Sequence, residues 1–431
     1  MKYLWTDEVK PYKSERLQGE KTTDVLVIGA GIAGVATAMR LAESGADYIL
    51  VDAGSPGYGI TKGTTAVLTA QHDILYTAIA DMYGTDKAKL YLEANLHGLE
   101  RIAKLAEKID CDFERQDSVM YSLTGKDKLR QESMLLNRLG FDAVCKKDPG
   151  LPFDVADAVV YPGMAQFHPL KFINSVVKKL NVYTDTFVVK LEGTTAYTPC
   201  GRIVAKKVII ATHFPFINGH GLYFMKQYQK RSYVIAYENA PVLGVTAEDA
   251  GKGFYFRNYN GLLLVGGGDH RTGKNGGGYG VIGEYAKKHF PEAREKYRWS
   301  NQDCVTLDGI PYIGRYSRST DNLYVATGFN LWGMTTSMAA ADVLCDMVSG
   351  HKSRYEELFD PSRSMLHPQL FLNMGAMVGN FMIPTVKRCP HLGCALVYNK
   401  AEHSYDCSCH GSRFDKQGRL IDNPAMKDAN L

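Results

Sequence analysis

The chain has no apolar run long enough to cross a bilayer; none of its stretches reaches the ~18 residues that a spanning helix needs. The nearest candidate, 365–384, is broken by His367, Pro368, Gln369, Asn373 and Asn380, and reads as a packed connector. The opening residues, MKYLWTDEVKPYKSE, lack the apolar centre of a secretory signal, so the cytoplasm is the expected location. An excess of one charge is also missing. Lys and Arg number 50 against 46 Asp and Glu, a formal net charge of +4, which is too small and too dispersed to mark a nucleic-acid protein. There is no internal repeat of solenoid type. At 45% hydrophobic and 22% charged residues, the composition excludes wholesale disorder. The nine cysteines are not spread as a secreted disulfide framework would spread them. Cys111, Cys145, Cys200, Cys304 and Cys345 are scattered, whereas Cys389, Cys394, Cys407 and Cys409 crowd the end beside two histidines and read as a metal site.

What is present is a 431-residue chain with 42 glycines, enough for about two to four domains. After a polar leader, 1–22, comes a βαβ unit. The run Asp24–Ile28 is of buried-strand type, Ile32–Glu43 carries helical spacing, and Tyr48–Val51 is a second strand ending at Asp52. Residues 84–148 read as mostly helical. The stretches 182–211 and 231–266 alternate as strands, a glycine-dense loop spans 266–283, strand 323–326 leads to Gly328, and a helix covers 335–348. Between the first strand and helix, Gly29-Ala30-Gly31-Ile32-Ala33-Gly34 fits G-x-G-x-x-G. Gly29 permits the tight turn, Gly31 lets backbone approach a pyrophosphate, Gly34 lets helix and strand pack closely, and the helix N-terminus offers free N–H groups to phosphate. Asp52 stands where a ribose is bound. The fingerprint does not by itself separate FAD from NAD. The run Gly266-Gly267-Gly268-Asp269 lacks the third glycine of a second such site, since Arg271 stands there.

Further motifs, GYGITKGTTAVLTAQH (57–72), VIIATH (208–213), DGIPYIG (308–314), LYVATGFNLWGMT (323–335) and Phe167-His168-Pro169, resemble the D-amino-acid oxidase/glycine oxidase family of FAD-dependent oxidoreductases over roughly 20–350. The resemblance implies an extended FAD with its ADP half on the Gly29 turn. Thr61, Thr64 and Thr65 would serve the pyrophosphate and ribityl chain, and Ala211, Gly328, Gly333, Met334 and Thr335 would lie beside the cofactor, with the last helix's N-terminus stabilising the reduced flavin. Two departures are Asp52, where the family more often has Glu, and His213, where a glycine usually closes the turn.

The end of the chain carries the pattern C-x-H-x15-C-x-x-H in Cys389-Pro390-His391 and Cys407-Ser408-Cys409-His410. Two cysteines and two histidines also suit zinc. The Leu-Gly and His-Gly-Ser settings of these residues resemble the Rieske [2Fe–2S] domain. The resemblance implies that Cys389 and Cys407 hold one iron and His391 and His410 the other, and that Cys394 and Cys409 form a disulfide tying the two loops. The strands that usually precede the first loop are largely absent, so the domain should lean on the flavoprotein body.

Together these observations predict a doubly wound, Rossmann-like α/β FAD-binding domain (20–80, 155–215 and 305–350), an inserted α+β substrate domain (81–154 and 216–304), a connector (351–384) and a small all-β Rieske-like domain (385–431). The resemblance implies an FAD-dependent dehydrogenase that oxidises an amine or amino acid and passes electrons singly through the cluster to a protein or quinone acceptor. His72, Arg257 and His270 are candidate catalytic residues, with Arg257 and Arg271 as candidate carboxylate clamps. A satisfied structural histidine and solvated arginines are the competing readings. Other classes remain open at this point: an electron carrier between protein partners, and a redox sensor. Ser412 can bond a bridging sulfide, but Phe414 stands where high-potential Rieske domains have tyrosine, so one hydrogen bond to a ligand sulfur is missing. The midpoint potential is therefore expected in the middle or lower part of the roughly −150 to +300 mV Rieske range. EPR-monitored redox titration checks this, and a value at the top of the range would contradict it.

Overall fold

The computed structural model describes residues 2–125 and 127–431. The first sheet is built on strand Gly19–Ile28, which pairs in parallel with Tyr48–Val51 on one side and Gly201–Ile210 on the other. Val182–Tyr183 extends one edge, and Leu323–Thr327 extends the other in parallel beside Val208–Ile210. Val25–Ile28 and Tyr48–Val51 are buried throughout, as continuous apolar strands must be when helices cover both faces. Helix Ile32–Glu43 starts directly after the glycine turn and packs against helix Gly333–Val348. This is the doubly wound architecture predicted.

The second sheet is mixed and has the order 294–306, 227–238, 262–271, 255–259, 245–249, 117–122, 157–161, 144–146. Strand Asp157–Tyr161 lies here, paired with Asp117–Ser122, and not in the FAD-binding segment expected from 155. Its Ala158, Val159 and Val160 are buried there. Helix Thr85–Ala106, expected in the substrate domain, lies tightly on the helix of the first domain. A Cβ on Gly98 would come within 2.1 Å of the Thr335 carbonyl oxygen.

Of three other expectations, that of a leader lying on the first domain holds and two change. The polar leader is anchored: helix Leu4–Glu8 buries Leu4 and Trp5, and the Trp5 indole N–H donates to the Thr64 carbonyl at 2.7 Å. The glycine-dense 266–283 is not all loop, because strand Leu262–Arg271 runs into it and helix Tyr279–His289 begins within it. The connector is not packed apolar chain. It forms helix Pro368–Phe381, which buries Asn373 and Asn380 while Phe371, Leu372 and Val378 face out. The two asparagines lie on one helical stripe, seven residues apart, Asn373 meeting Arg271 of the body and Asn380 meeting Ser408 of the C-terminal domain. Among the described residues, no helix is long and apolar enough to cross a membrane.

The last sheet is a four-stranded antiparallel meander, Leu396–Asn399, Ser404–Cys407, Arg413–Phe414 and Leu420–Asp422. It docks on strands 227–238 and 294–306 through buried charge. Arg413 bonds Glu402 at 2.9 Å, Asp406 at 3.1 Å and Asp422 at 2.9 Å. Arg231 of the body, 2% exposed, reaches across to Glu402. Removing one partner of a buried ion pair leaves an uncompensated charge and costs roughly 3–5 kcal/mol. Arg231→Met is therefore expected to lower stability by about that amount and to release the C-terminal domain to limited proteolysis ahead of the body. Thermal unfolding with a proteolysis time course checks this.

Candidate functional site

The glycine turn and the C-terminal domain meet at one cavity of about 600 Å³. Its walls include Gly29, Gly31, Asp52, Thr61, Thr64, Ala211, Gly333 and Met334 from the body and the segment 420–428, in part, from the C-terminal domain. Gly29 sits at φ +102°, and a Cβ there would meet the Ala211 carbonyl oxygen at 2.5 Å. A Cβ on Gly34 would strike the Gly29 carbonyl at 1.7 Å, so Gly34 serves packing and does not reach the cavity. The helix that starts at Ile32 has no side-chain cap from Gly31; Thr61 Oγ1 accepts from the Ile32 N–H at 3.1 Å. The Asp52 carboxylate accepts from Ala30 N–H at 2.6 Å and Gly54 N–H at 2.8 Å, which fixes it at the cavity wall with lone pairs to spare. Burial nonetheless pushes its pKa up. The donor set, the bare glycine backbone and the cavity size fit an extended dinucleotide.

Gly328 is a correction: it lines no part of this cavity. It turns at φ +73° against Thr306, and its carbonyl accepts from the Asn330 amide. Thr65 and Thr335 face a second, narrower chamber of about 120 Å³, which shares Thr64, Asn301, Asp303, Leu331 and Met334 with the large cavity. His213 takes φ +65°, which explains why glycine is usual there. Its buried Nε2 lines the cavity without a partner, and burial pushes its pKa down to about 4.

The candidate catalytic residues are placed otherwise than expected. His72 borders the chamber, but its Nε2–H donates to the Thr69 carbonyl at 2.9 Å and its Nδ1 accepts from the Tyr91 hydroxyl at 2.8 Å. Burial pushes its pKa down to about 3, so it is a neutral wall stacked on Trp332. Arg257 is fully buried and donates to the carbonyls of Thr65 at 2.5 Å, Ala66 at 3.0 Å and Phe167 at 3.2 Å. It braces the threonine loop and lines neither the cavity nor the chamber, and its buried Nη2 has no partner. His270 lies outside the chamber, bonded to the Tyr233 hydroxyl at 2.8 Å. Arg271 donates to the carbonyls of Ser408 and Cys409, both at 3.0 Å, and so holds a cluster loop.

The chamber's own polar groups carried no motif. Asp73, Glu248, Asp269 and Asp303 line it, with Lys230 as the one ammonium. Burial raises Glu248, with Asp73 adding to the shift, and pushes Asp303 up to about 7. These residues come from separate strands and a loop, so only the sheet brings them together.

In the C-terminal domain, the two loops share one geometry. Gly393 N–H donates to the Cys389 carbonyl at 2.9 Å and Gly411 N–H to the Cys407 carbonyl at 2.8 Å, each glycine at positive φ. The Cys394–Cys409 disulfide joins the loops. His391 and His410 bring their Nδ1 atoms within 3.3 Å of each other. The Cys389 and Cys407 thiols share a hydrogen bond that holds the first protonated and draws the second toward thiolate. Burial pushes His391 down to about 3, which leaves the neutral imidazole that binds iron. The Sγ atoms of Cys394, Cys407 and Cys409 also lie within 4.8 Å of one another, but two of them are committed to the disulfide. Two converging thiols opposite two converging imidazoles fit a two-iron centre better than that sulfur triad.

The family model for FAD-dependent oxidoreductases matches residues 24–347. The chain belongs to that family. The Rieske [2Fe-2S] domain model matches residues 378–430, so the protein carries FAD and a [2Fe–2S] cluster. It is 32% identical to the Rieske 2Fe-2S iron-sulfur protein YhfW of Bacillus subtilis (strain 168), over 95% of this chain and 93% of that one. It is 24% identical to γ-glutamylputrescine oxidoreductase of Escherichia coli (strain K12), over 78% of this chain and 85% of that protein. The solved structure of glycine oxidase from Geobacillus kaustophilus superposes with a TM-score of 0.69 at 20% identity, covering 80% of this chain and 99% of that one. In this FAD-dependent oxidoreductase, Gly29→Ala combines positive-φ strain with a backbone clash, the strain alone costing about 1–3 kcal/mol. It is expected to lower FAD occupancy at least about tenfold, read as flavin absorbance per protein after purification.

Proposed function

We propose that this oxidoreductase is a dehydrogenase that oxidises a C–N bond of a small amine or amino acid and delivers the electrons through its Rieske centre to a protein or quinone acceptor. The observation that carries the reading is the shared wall: Asp422 and Asn423 of the C-terminal domain line the same cavity as Gly29, Asp52 and Met334. Asn423 also donates to the carbonyls of Thr212 at 2.7 Å and Phe214 at 2.9 Å. When bound, FAD supplies a hydride acceptor and the [2Fe–2S] cluster a one-electron carrier. Gly29, Gly31 and the helix N-terminus would receive the pyrophosphate, and Asp52 the ribose. Thr61 and Thr64, with the loop braced by Arg257, would hold the middle of the cofactor, and Gly333 and Met334 its ring. Cys389, Cys407, His391 and His410 would ligate the irons.

The side chains around the cluster support an inward electron path. Phe214 places its ring 6.4 Å from His391 and 6.3 Å from His410. His391 Nε2 bonds Asn218 Oδ1 of the body at 2.8 Å, and His410 is 1% exposed. Both histidines thus face the flavoprotein. The chamber beside Met334 supports a small-molecule substrate. The names of the relatives, γ-glutamylputrescine oxidoreductase and glycine oxidase, support amine or amino-acid chemistry. A neutral His72 and the other groups of the chamber would orient the substrate and keep water away. The cytoplasm is the location this reading assumes.

Anaerobic addition of substrate is expected to bleach the flavin and then to raise the EPR signal of the reduced cluster, with little hydrogen peroxide formed in air. Cys407→Ala should lose the EPR signal, retain flavin bleaching, and lower turnover with an external acceptor at least about tenfold, as expected when a conduit and not a binding contact is removed. Stoichiometric peroxide formation by the intact protein would overturn the reading.

A further inference from the structure

Resting on the amine-oxidation reading, we infer that the chamber selects an aliphatic di- or polyamine, a substrate with two or more ammonium groups and no carboxylate beside the reacting amine. Its walls hold four carboxylates, Asp73, Glu248, Asp269 and Asp303, against one cation. That cation, Lys230, is already paired with Asp269 at 2.8 Å. A substrate carboxylate needs a guanidinium fork or an equivalent, and no arginine is among the residues that line the chamber. Arg257 gives its Nη1 to backbone carbonyls, keeps a buried Nη2 without a partner and lies outside the chamber wall, and Arg271 holds the cluster loop. An α-amino acid would bring its carboxylate to a wall whose single ammonium is already paired and whose other ionisable groups are carboxyls.

A second observation is independent of the charge count. Thr246 lines the chamber and is 3% exposed, yet its hydroxyl has no hydrogen-bond partner, and neither has Asp269 Oδ1. A buried polar group left unpaired costs about 1–3 kcal/mol, and such groups are paired in the great majority of cases. An ammonium brings three donors and no acceptor, which suits these oxygens. Tyr255, Phe256 and Trp332 supply the apolar and aromatic surface that a methylene chain with cationic ends requires. Asn301 and Asp303 line both the chamber and the large cavity, so one carboxylate stands at the junction through which the reacting amine approaches the flavin. Burial holds Glu248 and Asp303 toward their neutral forms, and a dication would restore their charge.

The FAD-loaded protein is titrated anaerobically with 1,4-diaminobutane, with ornithine (the same skeleton plus an α-carboxylate), with n-butylamine and with glycine, following flavin bleaching and spectral perturbation. The diamine is expected to act with an apparent Kd at least about tenfold below the other three, the effect of one lost charge-assisted contact. Ornithine or glycine acting as well as the diamine overturns the inference while amine oxidation stands. Perturbation by the diamine alone, with bleaching by no compound, supports the selectivity and overturns the oxidation reading. No response to the diamine overturns the inference. Glu248→Gln and Thr246→Val, with FAD content unchanged, are each expected to weaken the diamine more than n-butylamine. An equal effect on both compounds, or none, counts against the inference.

Discussion

One antiparallel strand pair, Gln227–Glu238 with Arg294–Thr306, constrains everything else in the molecule. Side chains along a strand alternate between faces, and here each face meets a different site. Lys230 and Ser232, with Asn301 and Asp303 opposite them in register, face the chamber. The residues between them face the C-terminal domain. Gln229 donates to the His410 carbonyl at 2.8 Å, Gln302 donates to the Gly411 carbonyl at 2.8 Å, and Arg231 reaches Glu402. A one-residue slip of either strand would send chamber groups to the cluster and cluster groups to the chamber. The register of this pair therefore sets substrate environment and domain docking together.

The C-terminal domain shows why docking is needed. Its buried apolar set is little more than Cys389, Cys394, Cys407, Cys409, Leu396, Phe414, Ala425 and Ala429. A core that small does not hold a fold alone. Three other devices supply the rest: the loop-tying disulfide, the cluster with its four candidate ligands, and the buried network of Arg231 and Arg413 with Glu402, Asp406 and Asp422. Such a network is a weak source of net stability, because desolvation opposes the attraction. It is a strong source of orientation, because the Arg413 fork meets Glu402, Asp406 and Asp422 together in one arrangement. The domain is thereby fixed against the body in a single pose.

Legibility in the sequence followed contiguity. The Gly29–Gly34 turn, its flanking strand and helix, and the C-x-H…C-x-x-H loops are local patterns whose geometry is set within a few residues, and the chain shows them directly. The chamber was not legible. Its carboxylates lie more than 200 residues apart at the extremes, Asp73 to Asp303, and only the mixed sheet order brings them to one wall. The arginines mislead for the same reason. A guanidinium on a strand near a ligand site reads as a clamp, yet Arg257 and Arg271 donate mainly to backbone carbonyls, partners that no side-chain pattern reveals. The connector departs from the usual rule: beside Leu370, its helix buries Asn373 and Asn380, because the surface these two meet, Arg271 and Ser408, is polar.

The cavity wall contributed by 420–428 couples cofactor retention to domain docking. A dinucleotide held between the Gly29 turn and Asp422 contacts both bodies, so its binding energy is larger in the docked arrangement than in the undocked one. By reciprocity, any change that favours undocking lowers FAD affinity by the same factor by which FAD loss favours undocking. The bonds from Asn423 to the Thr212 and Phe214 carbonyls lie on that boundary, next to His213, which lines the cavity. The same segment of the cluster domain thus forms part of the cavity wall and part of the docking boundary. Cavity wall and the proposed electron outlet then share one interface, and the alternating strand pair beneath it holds that interface in register.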